Sequence, residues 1–119
     1  LKVNKAKNIA TSQTEAKFGT NGLGNRSDAF RHGSWNAEMT ALIGKERSEL
    51  FATAHEDKDV TGTESDGYPK TAHRDMDLHN NEVGREIGEQ NKQPSESELA
   101  DIIYQEIYSA TTSIIWLHE

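Results

Sequence analysis

The segment SDAFRHGSWNAEMTALIG, which spans residues 27–44, decides the fold class of this chain. Its large apolar side chains recur at i, i+4, i+7 and i+8, which is the spacing of an amphipathic α-helix. These residues are Trp35, Met39, Leu42 and Ile43. Ser27 or Asp28 supplies a side-chain oxygen suited to the N-cap of this helix, and Gly44 is suited to its end.

The rest of the chain is also patterned for helices rather than strands. Apolar residues recur at helical spacing in four further segments. They are residues 4–17, 45–57, 73–91 and a segment that begins at residue 95. In the last segment Ser95 and Glu98 form a capping box directly after Pro94. No segment alternates apolar and polar residues as a strand does. We therefore predict an all-α fold, a compact bundle of four to five helices.

A length of 119 residues corresponds to one domain. Within it, residues 1–20 are expected to form a first helix or a linker. Residues 95–119 are expected to form a C-terminal helix, whose apolar end SIIWLHE either extends that helix or packs separately. Because the sequence begins with Leu1, we expect a domain cut from a longer polypeptide or a processed product.

The composition excludes several kinds of site. The chain contains no cysteine, which excludes a disulfide framework, a zinc–thiolate site and a thiol nucleophile. No apolar run approaches the roughly 18 residues that a membrane span needs. The formal net charge of −7 disfavours a general nucleic-acid binder, although a nuclease with a local basic cleft stays open. The same charge suits a basic partner surface.

Polar residues interrupt the apolar face of the second predicted helix. Asp28, His32 and Asn36 are spaced i, i+4 and i+8, so they share one helix face, with Arg31 and Trp35 beside them. Since that face adjoins the apolar stripe, we expect it to point into a core or a cleft.

The third and fourth predicted helices repeat this pattern. His55 and Glu56 end the third helix. In the fourth, His79 and Asn80 fall within the apolar stripe, and the helical Gly84 indicates close helix contact or room for a ligand. The residues that flank this stripe are Asp77, Asn81 and Arg85.

If the helices pack together, three histidines can converge with three acids. They are His32, His55 and His79 with Asp28, Glu56 and Asp77. Two kinds of chemistry follow. Imidazoles and carboxylates can bind a divalent metal ion. The candidate metal ligands are Asp28 and Asp77, together with His32 and His79. The same groups can act as a general acid and base, with Arg31 or Arg85 stabilising a developing anion.

Each of these residues also has a structural interpretation. A helical histidine beside an apolar face is more often a hydrogen-bonded structural residue, and Asp28 at a helix start is most often a cap. Trp35 is most simply a core residue, and Arg85 can be a solvated surface charge. His73 and His118 lack an acidic or apolar context that singles them out. Three such polar clusters, in a chain with only 33% hydrophobic residues, favour a functional cleft.

Three blocks of the sequence resemble a known group of bacterial domains. The blocks are DAFRHGSWNAEMT, FATAHE and MDLHNNEVGREIG, within residues 23–88. They are similar to small helical domains of poorly defined activity at the C-terminal ends of large secreted or surface proteins. Such domains belong to polymorphic toxin systems, including those of contact-dependent growth inhibition. Gly33 and Ser34 depart from the pattern, which has alanine and an aromatic residue there.

The resemblance implies that these blocks supply the functional residues. We assign a catalytic role to six of them. They are Arg31, His32, His55, Glu56, His79 and Arg85. Four others are assigned a supporting role. They are Trp35, Asn36, Asn80 and Asn81.

We therefore expect an antibacterial toxin effector domain that hydrolyses phosphodiester bonds in RNA or DNA, with a divalent metal ion as its candidate cofactor. A phospholipid or cell-wall hydrolase toxin is the alternative within the same class. The other alternative is a non-catalytic binding module whose polar cleft is a structural network. The toxin context also implies a cognate immunity protein, and delivery to a target cell as the C-terminal part of a larger secreted or surface protein.

Overall fold

Five α-helices make up the computed structural model, which describes all 119 residues. They are α1 (Lys2–Phe18), α2 (Arg26–Ile43), α3 (Lys45–Glu56), α4 (Lys70–Gln90) and α5 (Glu96–Ile107). The chain forms no strand, and a single isolated bridge joins Thr63 to Pro69. The prediction of a small all-α bundle is confirmed. None of the five helices combines the length and the apolar character needed to cross a bilayer.

The start of α2 differs from the prediction because its cap is Asn25, and neither Ser27 nor Asp28. The Asn25 side chain accepts a hydrogen bond from the backbone N–H of Asp28. The Asp28 carboxylate accepts instead from the backbone N–H of Gly24, at 2.7 Å, and is only 1% exposed. The predicted cap is thereby free to take part in a buried site. At the other end, α2 stops at Gly44 as predicted.

The C-terminal end follows the second of the two alternatives, in which the apolar tail packs separately. The predicted capping box opens α5, but the helix ends at Ile107, so residues 95–119 do not form one helix. The last residues, 113–119, pack separately across α4. There the Asn80 side chain donates to the carbonyl of Ile115 at 2.7 Å and accepts from its N–H at 2.9 Å. These two hydrogen bonds hold the tail, and the N–H of Leu117 adds a third by donating to the carbonyl of Gly24 at 2.8 Å.

The two remaining differences concern helix starts. α1, the first helix expected within residues 1–20, begins at Lys2, two residues before the predicted start. α4 begins at Lys70, three residues before the predicted start, directly after Pro69.

Two apolar clusters lie on different sides of α2 and make it the central helix. The larger one joins α2, α4, α5 and the tail. Its largest members are Phe30, Met76, Leu99, Ile103, Ile107 and Ile114. The smaller one joins α1, α2 and α3. It contains Trp35 and Met39 together with Ala6, Ala10 and Ala52. Because alanines supply most of the smaller cluster, α1 and α3 can lie close to α2.

The helices α2 and α4 contact each other through their backbones. A Cβ atom built on Gly84 would lie 2.2 Å from the carbonyl oxygen of Gly33, and one on Gly88 would lie 2.6 Å from that of Ala37. No side chain fits at either distance. The expectation that Gly84 marks a close helix contact is confirmed, and this contact brings the polar residues of the two helices together.

Candidate functional site

The imidazole of His32 lies between three carboxylates at one end of the α2–α4 contact. Its Nε2 is 3.4 Å from Asp28 Oδ1 and 3.5 Å from Asp77 Oδ1, and its Nδ1 is 3.9 Å from Glu56 Oε2. Asp28 precedes His32 by one turn of α2, Asp77 belongs to α4, and Glu56 is the last residue of α3. Three helices therefore supply one cluster, which is the convergence that the sequence predicted for these four residues.

Burial of this cluster is nearly complete, and its hydrogen bonding is incomplete. Glu56 is 3% exposed and Asp77 is 8% exposed. Both carboxylate oxygens of Glu56, Oδ1 of Asp77 and Nδ1 of His32 have no hydrogen-bond partner. A buried polar group without a partner costs a few kcal/mol, so structural networks normally satisfy such atoms. These four atoms leave donor and acceptor positions of the cluster open to a ligand.

Burial also shifts the acid–base properties of these groups. Desolvation, reinforced by the negative charges of Asp28 and Glu56, raises the pKa of Asp77 to about 8. Desolvation likewise raises the pKa of Glu56 above its ordinary value. For His32, desolvation outweighs the attraction of Asp28 and lowers the pKa to about 4. Such shifts in a cleft are typical of functional sites.

The cluster opens into a cavity of about 210 Å³. Asp59 and Glu64 line this cavity together with the acids of the cluster, and so do four cationic residues. They are Arg31, Lys58, Lys70 and Arg74. Arg31 donates to Asp28 and, at 3.0 Å, to the carbonyl of Gly22, which fixes its guanidinium at the cavity wall. The cavity therefore brings cationic and acidic side chains together, on a chain whose net charge is −7.

His55 and Trp35 form one side of this region. The His55 ring lines the cavity, 6.5 Å between centroids from His32, and packs edge-on against Trp35 at 5.2 Å. Trp35 is 6% exposed and belongs to the smaller apolar cluster. The indole therefore supports the position of His55 rather than facing the cavity.

Two predicted catalytic residues lie elsewhere. His79 is exposed, and its Nε2 lies 2.6 Å from the carbonyl oxygen of Ser113 in the tail. Arg85 donates to the side-chain oxygen of Asn36 at 2.9 Å in the α2–α4 contact and does not line the cavity. The expected convergence of three histidines is therefore corrected to His32 and His55, and His79 is removed from the candidate metal ligands.

The three predicted supporting amides have separate positions. Asn36 donates to Asn81 at 2.9 Å and accepts from Arg85, which builds a buried polar chain behind His32. Asn80 holds the tail instead, as described above. Asn36 and Asn81 therefore adjoin the candidate site, and Asn80 has a structural role.

A second histidine cluster, whose members had no distinguishing context in the sequence, lies beside the cavity and lines it through one residue. His73 and His118 both place Nε2 2.9 Å from oxygens of Asp66, and His73 lines the cavity. Although desolvation opposes it, the hydrogen bonds from His73, the Tyr68 N–H and His118 lower the pKa of Asp66 to about 2. The spacing of His73 one turn before Asp77 was the available signal for its position. His118 could not be found this way because it arrives from the far end of the chain.

Comparison with known proteins identifies the family but no activity. Residues 1–111 match the model of a family described as "Domain of unknown function (DUF6973)", and the chain belongs to that family. No curated protein and no solved structure matches the chain.

Proposed function

We propose that this member of the DUF6973 family is a hydrolase, a toxin effector domain that cleaves phosphodiester bonds of RNA or DNA. The observation that carries the proposal is that His32 lies between three carboxylates with unsatisfied oxygens, in a cavity that four cationic side chains also line. The toxin context and the delivery as part of a larger secreted or surface protein rest on the sequence resemblance alone.

The cluster offers what hydrolysis of an ester bond requires. A carboxylate with a free lone pair can take a proton from an attacking water, and neither oxygen of Glu56 has a partner. Arg31 is fixed by Asp28, so its guanidinium is oriented before a substrate arrives. A guanidinium in this position favours an oxyanion that develops beside the cluster.

The cationic side chains of the cavity support a phosphate group over a neutral ester as the substrate. Arg31, Lys58, Lys70 and Arg74 lie around one opening, and phosphate contacts supply most of the affinity of proteins for nucleic acid. A single-stranded or unstacked segment can present one phosphate to an opening of this size. This local charge is what a nuclease on an acidic chain needs.

A groove beside the cavity supports the second candidate, a phospholipid or cell-wall hydrolase. The groove has a volume of about 860 Å³ and shares Glu56 and Arg74 with the cavity. Leu50 and Leu78 line it, and Leu50 is 73% exposed. An acyl chain in this groove would place its phosphate or ester near Arg74.

The experiment is induced expression of the domain inside a bacterium, followed by gels of total RNA and DNA and by lipid extraction. The site variants are His32→Gln and Asp77→Asn, and the controls are His79→Ala and the exposed Asp75→Asn. We expect wild type and controls to degrade nucleic acid, and the site variants to lose about 100-fold or more of this activity.

Two other results would change the assignment. Growth arrest with intact nucleic acid and altered lipid or cell wall would favour the second candidate. No arrest by soluble, folded wild type would contradict a hydrolytic toxin and favour the non-catalytic binding module. In either toxin case we propose a cognate immunity protein with a basic surface, whose binding weakens as salt is added.

A further inference from the structure

We infer that Asp28, His32 and Asp77 bind one divalent transition-metal ion, of the range from Mn²⁺ to Zn²⁺. Nε2 of His32 and one oxygen of each aspartate lie within 4.8 Å of one another. This inference rests on the proposed function only for the role of the ion, which would be to activate the attacking water. The binding itself is a separate property of the three side chains.

The distances fit ligands of one ion. A tetrahedral ion with bonds of about 2.0–2.1 Å separates its ligand atoms by about 3.3–3.4 Å. The two separations from His32 Nε2 are 3.4 and 3.5 Å. An ion therefore fits between these atoms with only small movements of the side chains.

Hydrogen bonding explains these distances less well. One ring nitrogen carries at most one hydrogen, yet Nε2 faces two carboxylate oxygens. Both separations exceed the usual range for a hydrogen bond of this type. Asp77 is 8% exposed and its Oδ1 has no partner. A cation between these atoms would satisfy all of them.

The balance of charge points the same way. Three buried carboxylates surround the imidazole, and Arg31 is the one cation that is paired with any of them. Carboxylates in a buried site are stable together only with a compensating cation or by protonation. A divalent ion supplies that compensation.

The groups behind the three ligands have the arrangement that metal sites require. Metal-bound histidines usually donate the second ring N–H to a carboxylate, which fixes the tautomer. Glu56 Oε2 lies 3.9 Å from His32 Nδ1, and both atoms lack another partner, so a small movement would make this bond. Asp28 is itself held by Arg31 and by the N–H of Gly24.

The choice of metal follows from the donor atoms. One imidazole nitrogen with two carboxylate oxygens suits first-row transition ions, whereas Ca²⁺ and Mg²⁺ prefer sites built from oxygen alone. An ion of this kind polarises a bound water and stabilises charge on a phosphate oxygen.

The test is isothermal titration of chelator-treated protein with Mn²⁺ or Zn²⁺, which needs no substrate. We expect one ion per chain in the wild type and at least about 100-fold weaker binding in Asp77→Asn and His32→Gln. The matched controls are Asp75→Asn, an exposed aspartate on the same helix, and His79→Ala, an exposed histidine outside the cluster. Both should bind as the wild type does. Circular dichroism establishes that each variant is folded.

Three results would overturn the inference. They are no binding of either ion by folded wild type, undiminished binding in both folded site variants, or binding of Ca²⁺ or Mg²⁺ alone. If one site variant fails to fold, the other decides the question. Metal binding without hydrolysis would contradict the proposed function and leave the metal site standing. Hydrolysis without metal binding would overturn the metal site and leave the proposed function standing.

Discussion

Replacement of Glu38 by glutamine should stabilise the protein at alkaline pH and change its stability little in acid. Glu38 lies on α2, is 2% exposed, and its Oε2 has no hydrogen-bond partner. Desolvation, with repulsion from Glu96 as a smaller cause, raises the pKa of Glu38 from 4.5 to about 8. The folded protein therefore keeps this side chain protonated well into the neutral range.

The sign and size of the effect follow from proton linkage. Between pH 4.5 and about 8 the unfolded chain has lost the Glu38 proton while the folded protein still holds it. Each pH unit in that interval lowers the free energy of unfolding by about 1.4 kcal/mol. The loss of unfolding free energy caused by Glu38 has an upper limit of about 5 kcal/mol, which is reached above pH 8. Relaxation of the surroundings reduces the expected loss to about 2–4 kcal/mol. Glutamine has nearly the same shape and never ionises.

The assay is urea unfolding of wild type and Glu38→Gln at pH 5, 7 and 9. The difference in the free energy of unfolding should be below about 1 kcal/mol at pH 5 and should widen steadily toward pH 9. Glu82→Gln, on the exposed surface of α4, is the matched control and should shift stability little at any pH. Parallel pH curves for wild type and Glu38→Gln would refute the reasoning, because they would mean that folding does not change the proton affinity of Glu38.

Three further predictions concern the contacts that hold the site in place. Gly84→Ala should lower the free energy of unfolding by about 2 kcal/mol or more, because the new Cβ meets the Gly33 carbonyl and the cost of this clash exceeds the gain in helix propensity. An unchanged melting temperature would contradict the backbone contact. Asn80→Ala should lower the free energy of unfolding by about 2–3 kcal/mol and speed hydrogen exchange in the tail, since both backbone groups of Ile115 lose their partner. Exchange at the wild-type rate would show that other contacts hold the tail. Asp66→Asn should increase protease cleavage of the loop before α4. Because the pKa of Asp66 is held at about 2, its contribution to wild-type stability should persist above pH 3.8 and disappear as the pH falls toward 2. Thermal melts whose midpoint stays constant between pH 3.8 and 2 would refute this.

The fold was predictable because local patterns agreed with one another. The apolar spacing of α2, its end at Gly44 and the capping box of α5 each depend on neighbours within a few residues. The course of residues 113–119 was not predictable, since it depends on hydrogen bonds to Asn80, more than 30 residues away in the chain. Apolar content alone is equally compatible with a longer helix.

The candidate site was predictable in part, and the errors have one physical cause. Asp28 and His32 were placed together because they lie one turn apart on a helix. Asp77 was included because it flanks the apolar stripe of α4, and Glu56 because it comes directly after His55 at the end of α3. Lys58 and Lys70 were missed because they flank a loop whose course over the cavity is a property of the tertiary structure. Patterns with helical period report which residues share a face, but they do not report which face meets which neighbour.

The glycines of α4 carry the missing information. Asp77, Asn81, Gly84 and Gly88 are spaced i, i+4, i+7 and i+11, so they form one stripe along the helix. Only a face in direct backbone contact with another helix needs glycine at two successive turns, and that contact is with α2. At 3.6 residues per turn, His79 points about 160° away from Asp77. The phase of the glycines therefore predicts that Asp77 faces His32 and that His79 does not. A rule of this kind, in which paired helical glycines fix the inward face, could have corrected the site from the sequence itself.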